Sequence, residues 1–286
     1  TGCSRPVCQR YPFSGKSTDA LAHPRDHRTA YGGRVTIDPG LPVAVAVALL
    51  LLLTVTMYHV GRLPSSGSTV VAAVRAVVQL SIAALVIAAV IRSLVLSVLL
   101  LTGMFAVAVV TTVRRVEAPA AWPWATVAML AGLVPVIAII LLTRTVPPTG
   151  AALVPVVGIL AGNTMNGHTL TCRRAFAALR EEKGQYEAGL SLGLTRAQSV
   201  HEVIHRRVPE ALIPGLDQVR TAGVVTLPGA FIGVLLGGGS PAQAAAAQVL
   251  VLLGIMAAQT TTAVVAERLI GSARLLPPDL RTTLQP

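Results

Sequence analysis

The residues able to do chemistry are few, and they sit in unusual company. Residues 162–170, Gly-Asn-Thr-Met-Asn-Gly-His-Thr-Leu, place two amides, an imidazole, a thioether and two hydroxyls inside an otherwise apolar stretch. On a helix Asn163 and Asn166 share one face, while Thr164, His168 and Cys172 follow at intervals of four on a neighbouring face. Amides in such a setting either glue helices together or line a polar path. His168 lies near the end of the apolar run, where a solvated ring is expected. A metal ligand is the alternative, because imidazole suits iron and zinc, and Met165 and Cys172 could add sulfur. A second pair, Arg75 and Gln79, is spaced four apart within another apolar run. An arginine in hydrocarbon costs about 2.5–3.5 kcal/mol on insertion scales. Arg75 is therefore either an anchor reaching the interface or part of a polar path. Pro228 removes a backbone donor and suggests a hinge or kink. Gly229, Gly233 and Gly237 recur every four residues, a spacing that lets helix backbones approach closely.

These groups need elements to hold them, and composition says which. Of the 286 residues, 53% are hydrophobic and only 12% charged, about half the charge of an ordinary soluble domain. Mean hydropathy is +0.70. The net charge of +11 is clustered in particular segments, as in a membrane protein, and does not indicate a nucleic-acid binder. An all-α polytopic membrane protein in contact with lipid is expected. A 30 Å hydrocarbon core takes about 20 helical residues, and seven stretches qualify: 41–60, 70–91, 93–113, 122–142, 150–171, 221–238 and 242–266. Residues 173–220 hold eight Lys/Arg and should be cytoplasmic, which gives an N-out, C-in topology. Domains are then a leader (1–34), a membrane domain (35–269) containing the cytoplasmic segment 173–220, and a cytoplasmic tail (270–286).

The leader carries six Lys/Arg on the side this topology makes external, and its first residue is not Met. A tag, an upstream translation or a misplaced start is expected, with the protein proper beginning near Val35. Phe13–Thr18 (FSGKST) is not a P-loop, since Arg10 stands where the motif requires glycine. Three cysteines are too few for a disulfide framework, and with no CxxC, HExxH or Cys/His cluster picked out, a structural metal site is not expected. In the cytoplasmic segment, Val200, Val203, Ile204, Val208, Ala211 and Leu212 recur at helical spacing. Upstream, Gly189 and Gly193 are expected in a turn between two helical stretches. Such a hairpin is either a solvated connection or a docking surface for a soluble partner.

Glu187-Ala188-Gly189-Leu190-Ser191-Leu192-Gly193 is similar to the EAA coupling loop of ABC transporter permeases, with Gly189 in place of the second alanine. The run 162–170, Leu190–Thr195, Ala211–Pro214, and residues 226–244 occur in the order seen in FetB-type permeases, the iron-export ABC permease family. Ala72–Leu80 looks like that family's Ala-x-x-Arg-x-x-x-Gln-Leu signature. The resemblance runs from about Val35 to Leu269. It implies a permease subunit, not an enzyme, in the cell membrane. Glu187, Ala188, Gly193 and Thr195 would meet a cytoplasmic ABC ATPase that carries ATP-Mg, with no cofactor on this chain. It also implies a permease homodimer and outward movement of iron or another metal. Arg75, Gln79, Asn163, Met165, Asn166 and His168 are then candidates for the transport path. Leu194, Ala230 and Phe231 depart from the family pattern, and the loss of methionine sulfur at 230–231 leaves the cargo open. An ion- or proton-coupled secondary transporter is the alternative. The absence of Asp and Glu from the seven stretches counts against it. An intramembrane enzyme lacks an acid to orient His168.

Overall fold

The computed structural model describes residues 40–62, 66–90 and 93–284; the leader, its FSGKST run, Cys3, Cys8 and Arg92 lie outside them. The described residues are helical throughout apart from turns and a single isolated bridge, Ala222–Thr226. Eleven α-helices follow in order: α1 Leu41–Val60, α2 Ser66–Val90, α3 Leu94–Arg115, α4 Trp122–Leu142, α5 Gly150–Glu181, α6 Lys183–Ser191, α7 Arg196–Ile204, α8 Ile213–Thr221, α9 Gly229–Leu236, α10 Pro241–Gly271 and α11 Pro278–Thr283. Short 3-10 turns precede α4 and α8.

Five of these helices, α1 to α4 and α10, are long and apolar enough to cross a membrane. The expected fifth stretch forms a helix of 32 residues, about 48 Å long at 1.5 Å per residue. Its length suffices, but Asn163, Asn166, His168 and the threonines dilute its apolar character, and it is not among the five. It also runs unbroken through Thr171 to Glu181, so the polar segment begins as a continuation of the same helix. The expected sixth span, 221–238, is not one helix. α8 ends at Thr221, Gly223 and Gly238 take positive φ (83° and 89°), and α9 has eight residues. At about 12 Å, α9 cannot cross a 30 Å core. Pro228 is the N-cap of α9, a position where its missing N–H costs nothing. It starts a helix and does not bend one.

The bundle centres on α10, which packs along α5, α4 and α9. Small residues set the spacing. A Cβ on Gly132 of α4 would overlap Thr262 Oγ1 and Ala258 O of α10, and one on Gly167 of α5 would come within 2.9 Å of Gln259 Cγ. Such close approach supplies the packing that apolar surface alone does not provide between helices in lipid. The largest core joins Val113, Phe176, Leu179, Tyr186, Val200, Val203, Ile204, Ala266 and Ile270. Residues after 270 belong to that core: Leu275, Leu276, Leu280 and Leu284 are buried, and Arg274 stacks 4.6 Å from the Trp124 ring centroid. The segment 275–284 is thus packed against the bundle. By contrast α1 has no buried residue and lies along α2.

Candidate functional site

Helix α5 carries two different polar faces, and the structure separates them. On the first, His168 is fully buried, with Nδ1 2.9 Å from Thr112 Oγ1 of α3. Thr112 Oγ1 is also 2.8 Å from Thr169 Oγ1, and Thr169 gives its own proton to Met165 O at 2.8 Å. The proton count fixes the direction. With Thr169 donating to a carbonyl, Thr112 must donate to Thr169, so Thr112 accepts from His168 Nδ1–H. His168 Nε2 then faces Cys172 Sγ at 3.7 Å. The expectation of a solvated imidazole is overturned: Thr112 lies directly across the α3–α5 contact and satisfies the ring inside the bundle. With Nδ1 protonated, the lone pair on Nε2 is turned to the Cys172 thiol. Met165 packs beside Ala108, Val109 and Met129.

The second face opens on a recess of about 360 Å³ between α3, α5, α8 and α10, lined by Asn163, Asn166, Arg115, Arg173, Gln218 and Gln259 among others. Gln259 Nε2 donates to Asn163 O at 3.0 Å, and Asn163 Nδ2 donates to Ile159 O at 2.9 Å. Arg115 Nη1 reaches Asn166 Oδ1 at 3.5 Å, and Arg173 donates to Arg115 O through Nε and Nη2 at 3.3 and 3.2 Å. Gly215 admits Gln259, whose Oε1 a Cβ there would overlap. Two guanidinium groups and several amides therefore converge on one concavity, suited to anionic or neutral polar groups. Asn163 and Asn166 lie here, as their shared face implied. Arg75 and Gln79 do not: both are exposed on α2, and neither side chain is hydrogen-bonded or ion-paired to a described residue. Gly229 and Gly233 line a separate apolar cleft of about 920 Å³. A Cβ on either would meet nothing within 4 Å in this chain, so the two glycines make no close helix contact within the protomer.

The hairpin α6–α7 is built for shape. Gly193 takes φ +86°, a left-handed turn that other residues adopt at a cost. Thr195 then caps α7 in a reciprocal box: its N–H donates to Gln198 Oε1 at 2.9 Å, and Gln198 N–H donates to Thr195 Oγ1 at 3.4 Å. Gly189 is not in the turn, contrary to expectation. It is buried in α6, where a Cβ would sit 2.8 Å from Ser199 Oγ of α7, and that contact accounts for glycine where the EAA pattern has alanine. Glu187 and Ala188 are exposed, with Glu187 paired to Lys183 at 3.3 Å. Leu192 projects at 85% exposure. Beneath, α7 buries Val200, Val203 and Ile204 against α5 and α10, and Arg207 pairs with Glu182 at 2.9 Å.

One cluster corrects the sequence reading, which took the chain to have no HExxH run or metal-type cluster. His201 and His205 both bring Nδ1 to Glu267 Oε1 of α10, at 2.9 and 3.0 Å. The signal was present: residues 201–205 read His-Glu-Val-Ile-His, a spacing that puts two imidazoles on one helix face. Glu267, 62 residues away from His205, could not be attached to it without the fold.

Comparison with known proteins agrees with a membrane bundle. The chain matches, over residues 42–274, the family described as "Uncharacterised protein family (UPF0014)". It is 29% identical to the UPF0014 membrane protein STAR2 of Oryza sativa subsp. japonica over 242 residues, covering 80% of this chain and 85% of that protein. It is 30% identical to the UPF0014 membrane protein YjkA of Bacillus subtilis over 200 residues, covering 68% and 80%. With the Escherichia coli protein named "Probable iron export permease protein FetB" it shares 28% over 130 residues, 46% of this chain and 50% of that one. No solved structure matches significantly. On the family match, the chain is a membrane protein of the UPF0014 family.

Proposed function

We propose that this chain is the membrane-spanning subunit of an ABC-type transporter of the cell membrane, driven by a separate cytoplasmic ATPase that binds ATP-Mg. The observation that carries the reading is the α6–α7 hairpin: a short, capped, exposed helix pair whose buried side is keyed into α5 and α10. A push on α7 would be transmitted through Val200, Val203 and Ile204 into both helices, because a close-packed core passes strain on. Glu187, Ala188 and Thr195 form the docking face, and Leu192 is the apolar knob. The resemblance to FetB-type permeases supports a homodimer and outward transport of iron or another metal. Arg115 and Arg173 beside the recess disfavour a bare cation there, so metal cargo in that recess would carry anionic ligands.

The test is co-purification with candidate ATPases in detergent, followed by ATP hydrolysis with Glu187 or Gly193 altered. An ATPase partner whose turnover falls in the variants is expected. If no ATPase binds the intact chain, the reading fails.

A further inference from the structure

We propose that His201, His205 and Glu267 bind a divalent first-row transition metal that clamps α7 to α10. The three ligand atoms lie within 4.8 Å of one another, and the two rings stack at 4.5 Å, tilted by 38°. Tetrahedral bonds of about 2.0–2.1 Å separate ligand atoms by roughly 3.3 Å. The two N···O separations of 2.9 and 3.0 Å need a few tenths of an ångström of opening, while the two nitrogens, within 4.8 Å of each other, close by at most about 1.5 Å to reach that spacing. Both rings are exposed, so their side-chain torsions are free to turn toward a shared ion.

Without an ion, both imidazoles can donate Nδ1–H to the carboxylate, which accepts more than one hydrogen bond. With Nδ1 deprotonated on both rings, the same three atoms from two helices become a chelating set of two nitrogens and one oxygen. Glu267 is held at 12% side-chain exposure, whereas His201 and His205 stand at 52% and 64%. A metal seated here keeps its remaining positions toward solvent. Two nitrogens and one carboxylate oxygen suit Zn²⁺ or Fe²⁺. Mg²⁺ and Ca²⁺ prefer all-oxygen shells. Because α7 belongs to the hairpin and α10 is the central helix, the ion fixes the angle at which the hairpin meets the bundle. The consequence for coupling rests on the transporter reading; the binding does not.

The experiment titrates the full-length protein in detergent at pH 7.5 with Co²⁺, whose visible absorption reports an ordered ligand field. The double variant H201A/H205A is compared with wild type, and E267Q serves as the second variant should the first be poorly folded. The expected result is one equivalent of absorbing Co²⁺ that Zn²⁺ displaces and millimolar Mg²⁺ does not, lost in the double variant and at least about 10-fold weaker in E267Q. Hydrogen exchange of α7 should slow on adding Zn²⁺ to wild type only. A Co²⁺ spectrum and stoichiometry unchanged in both variants overturns the site, whatever the ATPase experiment gives.

Discussion

Replacing Gly193 isolates what the hairpin turn demands. Its φ of +86° is reached by an L-residue at a cost of about 1–2 kcal/mol. A Cβ there meets nothing within 4 Å, so Gly193→Ala adds no clash and the whole effect is backbone strain. Asparagine visits the left-handed region more readily than alanine, so Gly193→Asn should lose less. A local loss of 1–2 kcal/mol raises the open population roughly 5–30-fold. Native-state hydrogen exchange should then quicken by that factor in the amides of residues 189–199, with little change in α4 or α10. The order of exchange rates should be alanine, asparagine, glycine. Equal exchange in all three proteins would refute the claim that Gly193 is required by the turn.

Gly132→Ala should lower the melting temperature of the detergent-solubilised protein, since its Cβ would overlap Thr262 Oγ1 and Ala258 O; overpacking of this kind costs about 1–3 kcal/mol. Thr112→Val keeps the shape but removes the acceptor for His168 and the donor to Thr169. Measured by equilibrium unfolding in mixed micelles, it should cost about 1–2 kcal/mol, the upper range for hydrogen bonds between membrane helices. The Arg180 guanidinium, 2.8 Å from Asp279, holds that carboxyl below the usual carboxylate range. A depressed folded-state value means its stabilisation is present above the unfolded value near about 4 and fades as pH falls through the lower folded value. The pair is half exposed and worth under about 1 kcal/mol. Proteolysis of the 275–284 segment should therefore be flat from about pH 7 to 5 and rise only below about 4, and the rise should be absent in Asp279→Asn.

Sequence carried the helical class, because apolar runs of about 20 residues leave lipid-exposed backbone no other satisfactory state. It carried the grouping of Asn163 with Asn166 for a local reason, their three-residue spacing. It did not carry α9: the hydropathy of 221–238 is that of a span, but residues 222–228 form a non-helical turn, with Gly223 at positive φ and Pro228 capping α9. Nor did it carry the partner of His168, since Thr112 is 56 residues away and one of several threonines in apolar runs. The packing of Leu275–Leu284 was hidden because the run 271–286 looks like an ordinary polar end, while its four leucines are buried against a core assembled from distant helices.

The central claim is that the α6–α7 hairpin meets an ATPase. Photo-cross-linking amino acids placed at Glu187 and Leu192, with Arg144 in the exposed α4–α5 connection as control, test it in native membranes. Cross-links to an ATP-hydrolysing protein from positions 187 and 192, and none from 144, are the expected result. No such adduct from 187 or 192, or equal yield from 144, would contradict the account.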